Sequence, residues 1–167
     1  MAYAAPLADL RFILDHVVPL APLSATGHFP DTPPELVEAV LDGAARRATE
    51  VFAPLDRVSD TEGARLIDGA VRTPAGFAAA YRALAEGGWV GVSAPVDHGG
   101  MGLPLMLNTA VQDMLAGACL ALQLNPLMTQ GQIEALEHHA SDEIRALYIP
   151  KLISGEWCGT MNLTEAG

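Results

Sequence analysis

The stretch Tyr148-Ile-Pro-Lys-Leu-Ile-Ser-Gly-Glu-Trp-Cys-Gly-Thr-Met-Asn-Leu-Thr-Glu165 decides how the chain is interpreted. A helical pattern ends at Pro150, a turn is expected at Ser154-Gly155, and from Trp157 the side chains alternate between two sides. This alternation predicts the start of a half-buried β-strand. Nothing earlier reads as an alternating run between turn signals, and a single strand is not stable in water. The sequence therefore predicts a strand whose partners lie beyond these residues.

The composition indicates a globular protein and excludes one class of partner. The chain has 167 residues, 50% of them hydrophobic, which is enough for one domain with a sizeable core. Its 20 acidic residues outnumber the 9 basic ones, giving a net charge of -11. Nucleic-acid binding needs clustered lysine and arginine, so this class of partner is excluded. The two cysteines, Cys119 and Cys158, are expected to be buried thiols in a reducing, cytoplasmic setting.

No segment has the features of a signal peptide or a membrane span. Residues 1–6 lack a basic region and a long apolar run. The uncharged stretch from Met114 to Ile133 is interrupted by polar residues in its second half, so its apolar part is too short for a bilayer. We expect no membrane span and interpret this stretch as helix buried inside protein.

Helical spacing of apolar residues dominates the rest of the chain. It predicts an all-α bundle of about six helices, with an amino-terminal arm that carries a short amphipathic helix over 7–17. A long helix is expected with Thr32 as N-cap and Pro33 as its first residue, ending at Pro54. Residues 56–73 are interpreted as a surface loop.

The second half is predicted to contain further helices joined by glycine-rich turns. Phe77, Tyr81 and Leu84 mark the inner face of the next helix, and the glycines of 87–102 are expected in turns with positive φ. The most apolar helix, 104–122, should be central and should end before Asn125-Pro126. Ser141 should cap the last helix, with an inner face formed by three apolar residues, Ile144, Leu147 and Tyr148.

The residues offer no recognisable catalytic or metal site of their own. The five histidines are scattered, and no spacing typical of zinc ligands occurs. No serine or cysteine stands in the setting of an activated nucleophile. Asp113, in the apolar helix, is interpreted as an acid hydrogen-bonded within the bundle rather than as a functional carboxylate.

Three stretches resemble the acyl-CoA dehydrogenase family. Tyr148-Ile-Pro-Lys-Leu-Ile-Ser-Gly-Glu156 and Leu163-Thr-Glu165 are similar to the end of that family's amino-terminal helical domain and the strand that follows it. After Glu165 the match breaks, because Ala166-Gly167 replace the family's Pro-x-Ala-Gly-Ser-Asp. The opening Tyr3-x-Ala-Pro-x-x-Asp-x-Arg-Phe-x-Leu14 resembles an extension found in one branch of the family.

The resemblance implies a division of the chain and a cofactor, FAD. Residues 1–32 would form an arm and linker, 33–156 the helical domain, and 157–167 the first strand of a middle β domain. In the family this strand lies against the flavin, which implies cofactor-binding roles for Met161, Leu163 and Thr164. The acyl tail enters the helical domain near the Asn125-Pro126 break. This implies substrate-binding roles for three neighbouring residues, Gln123, Leu124 and Leu127.

The implied function is the amino-terminal part of an FAD-dependent acyl-CoA dehydrogenase. The implied partners are an acyl-CoA substrate, further copies of the protein and an electron-accepting flavoprotein. In the family the catalytic base lies in a carboxyl-terminal helical domain, and a middle β domain covers much of the cofactor. These residues include neither, so this polypeptide alone should bind FAD weakly or not at all and should not turn over. Two alternatives remain open, namely a flavin-dependent hydroxylase on the same scaffold and a non-catalytic helical module whose last strand docks on a partner.

Overall fold

The computed structural model describes residues 3–24, 26–27, 29 and 32–161. As predicted, the architecture is all-α, with one small β-hairpin. The α-helices of the described residues are α1 (Leu7–Phe12), α2 (Ala21–Ser24), α3 (Pro34–Arg47), α4 (Ala53–Glu62), α5 (Phe77–Glu86), α6 (Leu105–Ala118), α7 (Leu120–His139) and α8 (Asp142–Ile153). Within these residues, no helix combines the length and apolar character that crossing a membrane requires.

The described residues divide into two compact units. The first comprises those of Met1–Ala80 and Leu103–Gln123, and the second those of Tyr81–Gly102 and Leu124–Gly167. In the first unit, α3 packs against α6. The fully buried positions of α3 and of the π-helical turn that continues it include Ala44, Ala48 and Phe52. The core of the second unit is formed by large apolar side chains that are almost fully buried, among them Leu84, Val90, Val92, Ile133, Ile149 and Leu152.

The long amino-terminal helix differs from the prediction at both ends. Its N-cap is Pro33 rather than Thr32, because Pro34 forces the residue before it into the extended conformation observed, with ψ 157°. The predicted end at Pro54 is wrong, since π-helical residues Ala48–Phe52 join α3 to α4. Pro54 thus falls in the first turn of α4, where the ring is tolerated.

Residues 56–73 are not the loop that was predicted. After α4, strands β1 (Arg65–Ile67) and β2 (Ala70–Arg72) form an antiparallel hairpin with Leu66 opposite Val71. The turn residues Asp68 and Gly69 both have positive φ, at 49° and 77°. This Asp-Gly pair is a strong hairpin signal, so the expectation that no earlier strand exists was wrong.

Proline also failed to end the helices of the second half. The break between α6 and α7 lies at Cys119, whose backbone is extended (φ -160°, ψ 91°), and α7 then runs through Pro126. Pro150 lies inside α8 in the same way. Each proline lacks a backbone N–H, so its helix loses one hydrogen bond there. Side-chain packing keeps the helix intact. Asp113 is exposed, so its predicted burial is also wrong.

The last helix is capped as predicted but is oriented differently. The Ser141 hydroxyl oxygen accepts a hydrogen bond from the Ile144 amide at 3.4 Å. The predicted inner face is wrong, since its three members, Ile144, Leu147 and Tyr148, are 42–51% exposed. The buried side chains of α8 are instead Ile149, Leu152 and Ile153.

Two phenylalanines provide a test of the core of the first unit. Phe52 is 0% exposed and Phe12 is 59% exposed. We expect Phe52→Ala to lower the free energy of unfolding by about 3–5 kcal/mol, because it removes a buried ring and leaves a cavity. The control Phe12→Ala should cost less than about 0.5 kcal/mol. Urea unfolding measures both, and equal losses would contradict the assignment of the core.

The amino-terminal arm provides a second test, which depends on pH. The Tyr3 hydroxyl donates a hydrogen bond to the Met114 carbonyl at 2.7 Å, and burial, followed by the nearby Asp113 carboxylate, raises the pKa of Tyr3 above 10.0. The folded state therefore holds this proton more tightly than the unfolded state. The stability that the protonated phenol contributes is complete below pH 10 and is lost as the pH rises further. Tyr3→Phe should cost about 0.5–1.5 kcal/mol at pH 7.

Because ionised tyrosine cannot donate this bond, the stability difference between the wild type and Tyr3→Phe should shrink as the pH rises above 10. Urea titrations of both proteins across this range measure it. A stability difference between the two proteins that stays constant with pH would show that the hydrogen bond does not anchor the arm.

Candidate functional site

The segment that follows α8 begins with a tight turn. Gly155 has φ 73°, and a Cβ atom there would lie 2.5 Å from the Cβ of Ala85, so both conformation and space favour glycine. The Trp157 amide donates to the Lys151 carbonyl at 3.0 Å, which closes the turn. The predicted turn at Ser154-Gly155 is therefore present.

Residues 157–161 continue from this turn as irregular chain. The structure assigns them to neither helix nor strand, and the remainder of the predicted strand, 162–167, lies outside the described residues. The strand and the middle β domain therefore stay predictions.

Two side chains of α7 hold this segment. The Gly159 amide donates to the Thr129 hydroxyl oxygen at 3.0 Å in a buried position, and the same hydroxyl donates to the Asn125 carbonyl at 3.0 Å. The Gln132 side-chain amide donates to the carbonyl of Thr160. We refer to Thr129, Gln132, Gly159 and Thr160 as the α7 anchor.

Close packing reinforces the α7 anchor. Gly159 is buried, and a Cβ atom on it would lie 2.5 Å from the Gln132 side-chain oxygen and 3.0 Å from the Thr129 Cα. Only glycine allows the segment to approach α7 this closely without a shift in either chain. Thr129 itself is 0% exposed, so its hydroxyl is buried with both of its hydrogen bonds made.

A phenol on α5 lies against the same segment. Burial raises the pKa of Tyr81 well above its usual range, and the Cys158 thiol beside it adds to the increase. Cys158 is nevertheless exposed, whereas Cys119 is buried, so the expectation of two buried thiols was wrong for Cys158.

An open groove borders the segment and was not anticipated. Its volume is about 570 Å³, and its walls include Leu136, Ile144, Tyr148 and Trp157. The rings of Tyr148 and Trp157 meet edge to face at 5.4 Å, and the Lys151 ammonium lies 4.2 Å from the centre of the Trp157 ring. The signal was present in the sequence, because α8 is apolar on two sides and only one side is buried.

The structure tests only part of the predicted flavin site. Met161 is described and 59% exposed, while Leu163 and Thr164 lie outside the described residues. An exposed apolar side chain on an irregular segment can contact a planar ring. The exposure of Met161 is therefore compatible with the cofactor role, which remains a prediction for all three residues.

The predicted substrate residues differ from one another in exposure. Leu124 and Leu127 are 48% and 44% exposed, three residues apart on α7, which places them on one side of that helix. Gln123 is only 1% exposed, and its side-chain amide donates to the Gln112 side-chain oxygen. The structure thus places the two leucines together at the surface and Gln123 in the interior.

Two histidine side chains lie beside carboxylates. His98 lies 3.6 Å from a carboxylate oxygen of Glu137, and His138 lies 3.3 Å from one of Glu134. Among the described residues, no group of three or more potential ligands is arranged to hold a metal ion.

Comparison with known proteins defines the class to which this architecture belongs. Residues 34–156 match the family model of the acyl-CoA dehydrogenase N-terminal domain. The chain therefore belongs to the acyl-CoA dehydrogenase family, a family of oxidoreductases and flavoproteins, and it contains the amino-terminal helical domain. Members are generally FAD-dependent and oligomeric, and they act on acyl-CoA.

Individual relatives support the same assignment. The chain is 39% identical over 165 residues to a 3-methylmercaptopropionyl-CoA dehydrogenase of Ruegeria pomeroyi, covering 99% of this chain and 28% of that protein. It is 31% identical over 134 residues to a butyryl-CoA dehydrogenase of Syntrophomonas wolfei, covering 78% of this chain and 22% of the relative. The chain thus spans about a quarter of the length of these relatives.

Two glycines provide a test of the packing at the α7 anchor. We expect Gly159→Ala to displace residues 157–161 from α7, because the added methyl group meets both Gln132 and the Thr129 backbone. Gly131→Ala is the matched control, since a Cβ there meets nothing within 4 Å and alanine should stabilise the interior of α7 by about 0.5–1 kcal/mol. Hydrogen exchange of residues 157–161 and urea unfolding measure the two effects. Equal exchange in both variants would contradict the close approach.

Proposed function

We propose that the complete protein is an FAD-dependent acyl-CoA dehydrogenase, which converts an acyl-CoA thioester to the 2,3-enoyl-CoA. The observation that carries the proposal is the family match over 34–156, combined with similarity to a named dehydrogenase over 99% of the chain. The two relatives described above are both dehydrogenases, which favours this chemistry over a hydroxylase on the same scaffold.

The chain's contribution to the flavin site is the segment that leaves the α7 anchor. When bound, FAD supplies the acceptor for the hydride that leaves the β carbon of the acyl group. Met161, which is exposed, would pack against the bound ring, and Leu163 and Thr164 would provide backbone amides and a hydroxyl to hydrogen-bond its polar edge. Fixed donors at that edge favour the negative charge that develops on reduction.

The chain's contribution to acyl binding is the surface of α7. Leu124 and Leu127 offer apolar contacts to the acyl tail, since both are nearly half exposed in the described structure. Gln123 supports this region of α7 from the interior through its bond to Gln112. No residue of this chain is assigned to remove the α proton, a step that needs a carboxylate outside it.

The names of the relatives suggest the substrates to test first. They are named for 3-methylmercaptopropionyl-CoA and butyryl-CoA, which are both short acyl thioesters. We extend this class to the present protein. We also propose a cytoplasmic homo-oligomer that passes its electrons to a separate flavoprotein.

Anaerobic titration of the complete gene product tests the proposal. The purified protein should be yellow, and its flavin absorbance near 450 nm should bleach by roughly the amount expected for two-electron reduction when a short acyl-CoA is added. Addition of the matching enoyl-CoA is the control and should cause no bleaching. Failure of every acyl-CoA in the series to bleach a flavin-containing protein would refute the dehydrogenase activity.

A further inference from the structure

We propose that Thr129 is a positioning residue for the flavin site, acting through Gly159, with Gln132 as its second contact. This inference rests on the proposed function, because it concerns the segment that carries Met161. The structure shows one buried hydroxyl that joins a helix of the domain to the backbone two residues before Met161.

The hydroxyl of Thr129 is fixed by its own hydrogen bonds. Its proton is directed to the Asn125 carbonyl within α7, so a lone pair faces the Gly159 amide. A threonine that only bonds back to the carbonyl four residues earlier in its own helix would make just the first bond. The second bond determines the position of a neighbouring segment, and burial from water makes its loss costly.

Contacts at Gly159 and Thr160 leave the segment little freedom. Gln132 holds the Thr160 carbonyl, and the absent side chain of Gly159 lets the backbone lie directly on α7. Donor and acceptor groups of consecutive residues are thus both fixed to one rigid helix. The first exposed side chain beyond these two contacts is Met161.

The position of this segment matters because a flavin responds to its hydrogen-bond donors over distances of tenths of an ångström. A segment released from α7 would still be connected to the domain, but it would present Met161 in many orientations. The expected consequence is a weaker and spectrally altered flavin site in a protein whose helices remain folded.

Substitution of Thr129 in the complete, flavin-containing gene product tests the inference. Thr129→Val keeps the shape of the side chain and removes both hydrogen bonds, and Thr129→Ser restores the hydroxyl. Thr109→Val is the matched control, because the Thr109 hydroxyl also donates to a carbonyl four residues earlier, that of Leu105, and is exposed.

Two readouts separate positioning from a purely structural role. Hydrogen exchange of residues 157–161 should be about tenfold faster in Thr129→Val. The visible absorbance and circular dichroism of the flavin should change, and flavin should dissociate at least severalfold faster. Thr129→Ser and Thr109→Val should match the wild type in both readouts.

Faster exchange with an unchanged flavin spectrum in Thr129→Val would overturn the inference, as would unchanged exchange. If Thr129→Val does not fold, Gln132→Met provides the same test by removing the bond to Thr160, and wild-type behaviour of that variant in both readouts would overturn the inference. A wild-type protein that holds no flavin would instead refute the proposed function itself, before any variant is compared.

Discussion

The first unit depends on close contact between α3, its π-helical continuation and α6. Fully buried Ala44 and Ala48 keep this side of the long helix nearly flat, and Phe52 fills the space beyond them. Small side chains let two helix backbones approach, so the packing of the pair leaves no room for larger residues at these positions. The amino-terminal arm depends on the same pair, since Tyr3 bonds to α6 and Arg11 pairs with Glu38 and Asp42 of α3.

The sequence predicted the fold class well because apolar periodicity records which side of each helix is buried. It predicted the ends of helices poorly, because the prolines at positions 54, 126 and 150 lie inside helices rather than at their ends. At Pro126 and Pro150 the free energy lost with one missing hydrogen bond is smaller than the free energy that side-chain packing contributes, so the helix continues. Pro54 lies in the first turn of α4, where the ring is tolerated. The hairpin at Asp68-Gly69 was a different error, since its turn signal was present but three-residue strands are too short to show alternation.

The candidate site likewise contains residues that could be predicted from the sequence and residues that could not. Resemblance to a family suggested Met161 and its successors, because the motif that carries them is local in sequence. The residues of the α7 anchor could not be found in this way, since Thr129 and Gly159 are thirty residues apart and neither belongs to a motif. Their relation is a property of the tertiary structure. The groove beside Trp157 is a different case, since the two apolar sides of α8 are visible in the sequence and only the choice of the buried side depends on the tertiary structure.

The β-hairpin of 65–72 has a practical consequence for handling the molecule. Every residue of its two strands is exposed, so it contributes almost nothing to the core of its unit. Lengthening a surface connection adds only a small, slowly growing entropic cost. The tip at Asp68-Gly69 is therefore a position where an affinity epitope or fluorescent label can be inserted while the helices remain intact.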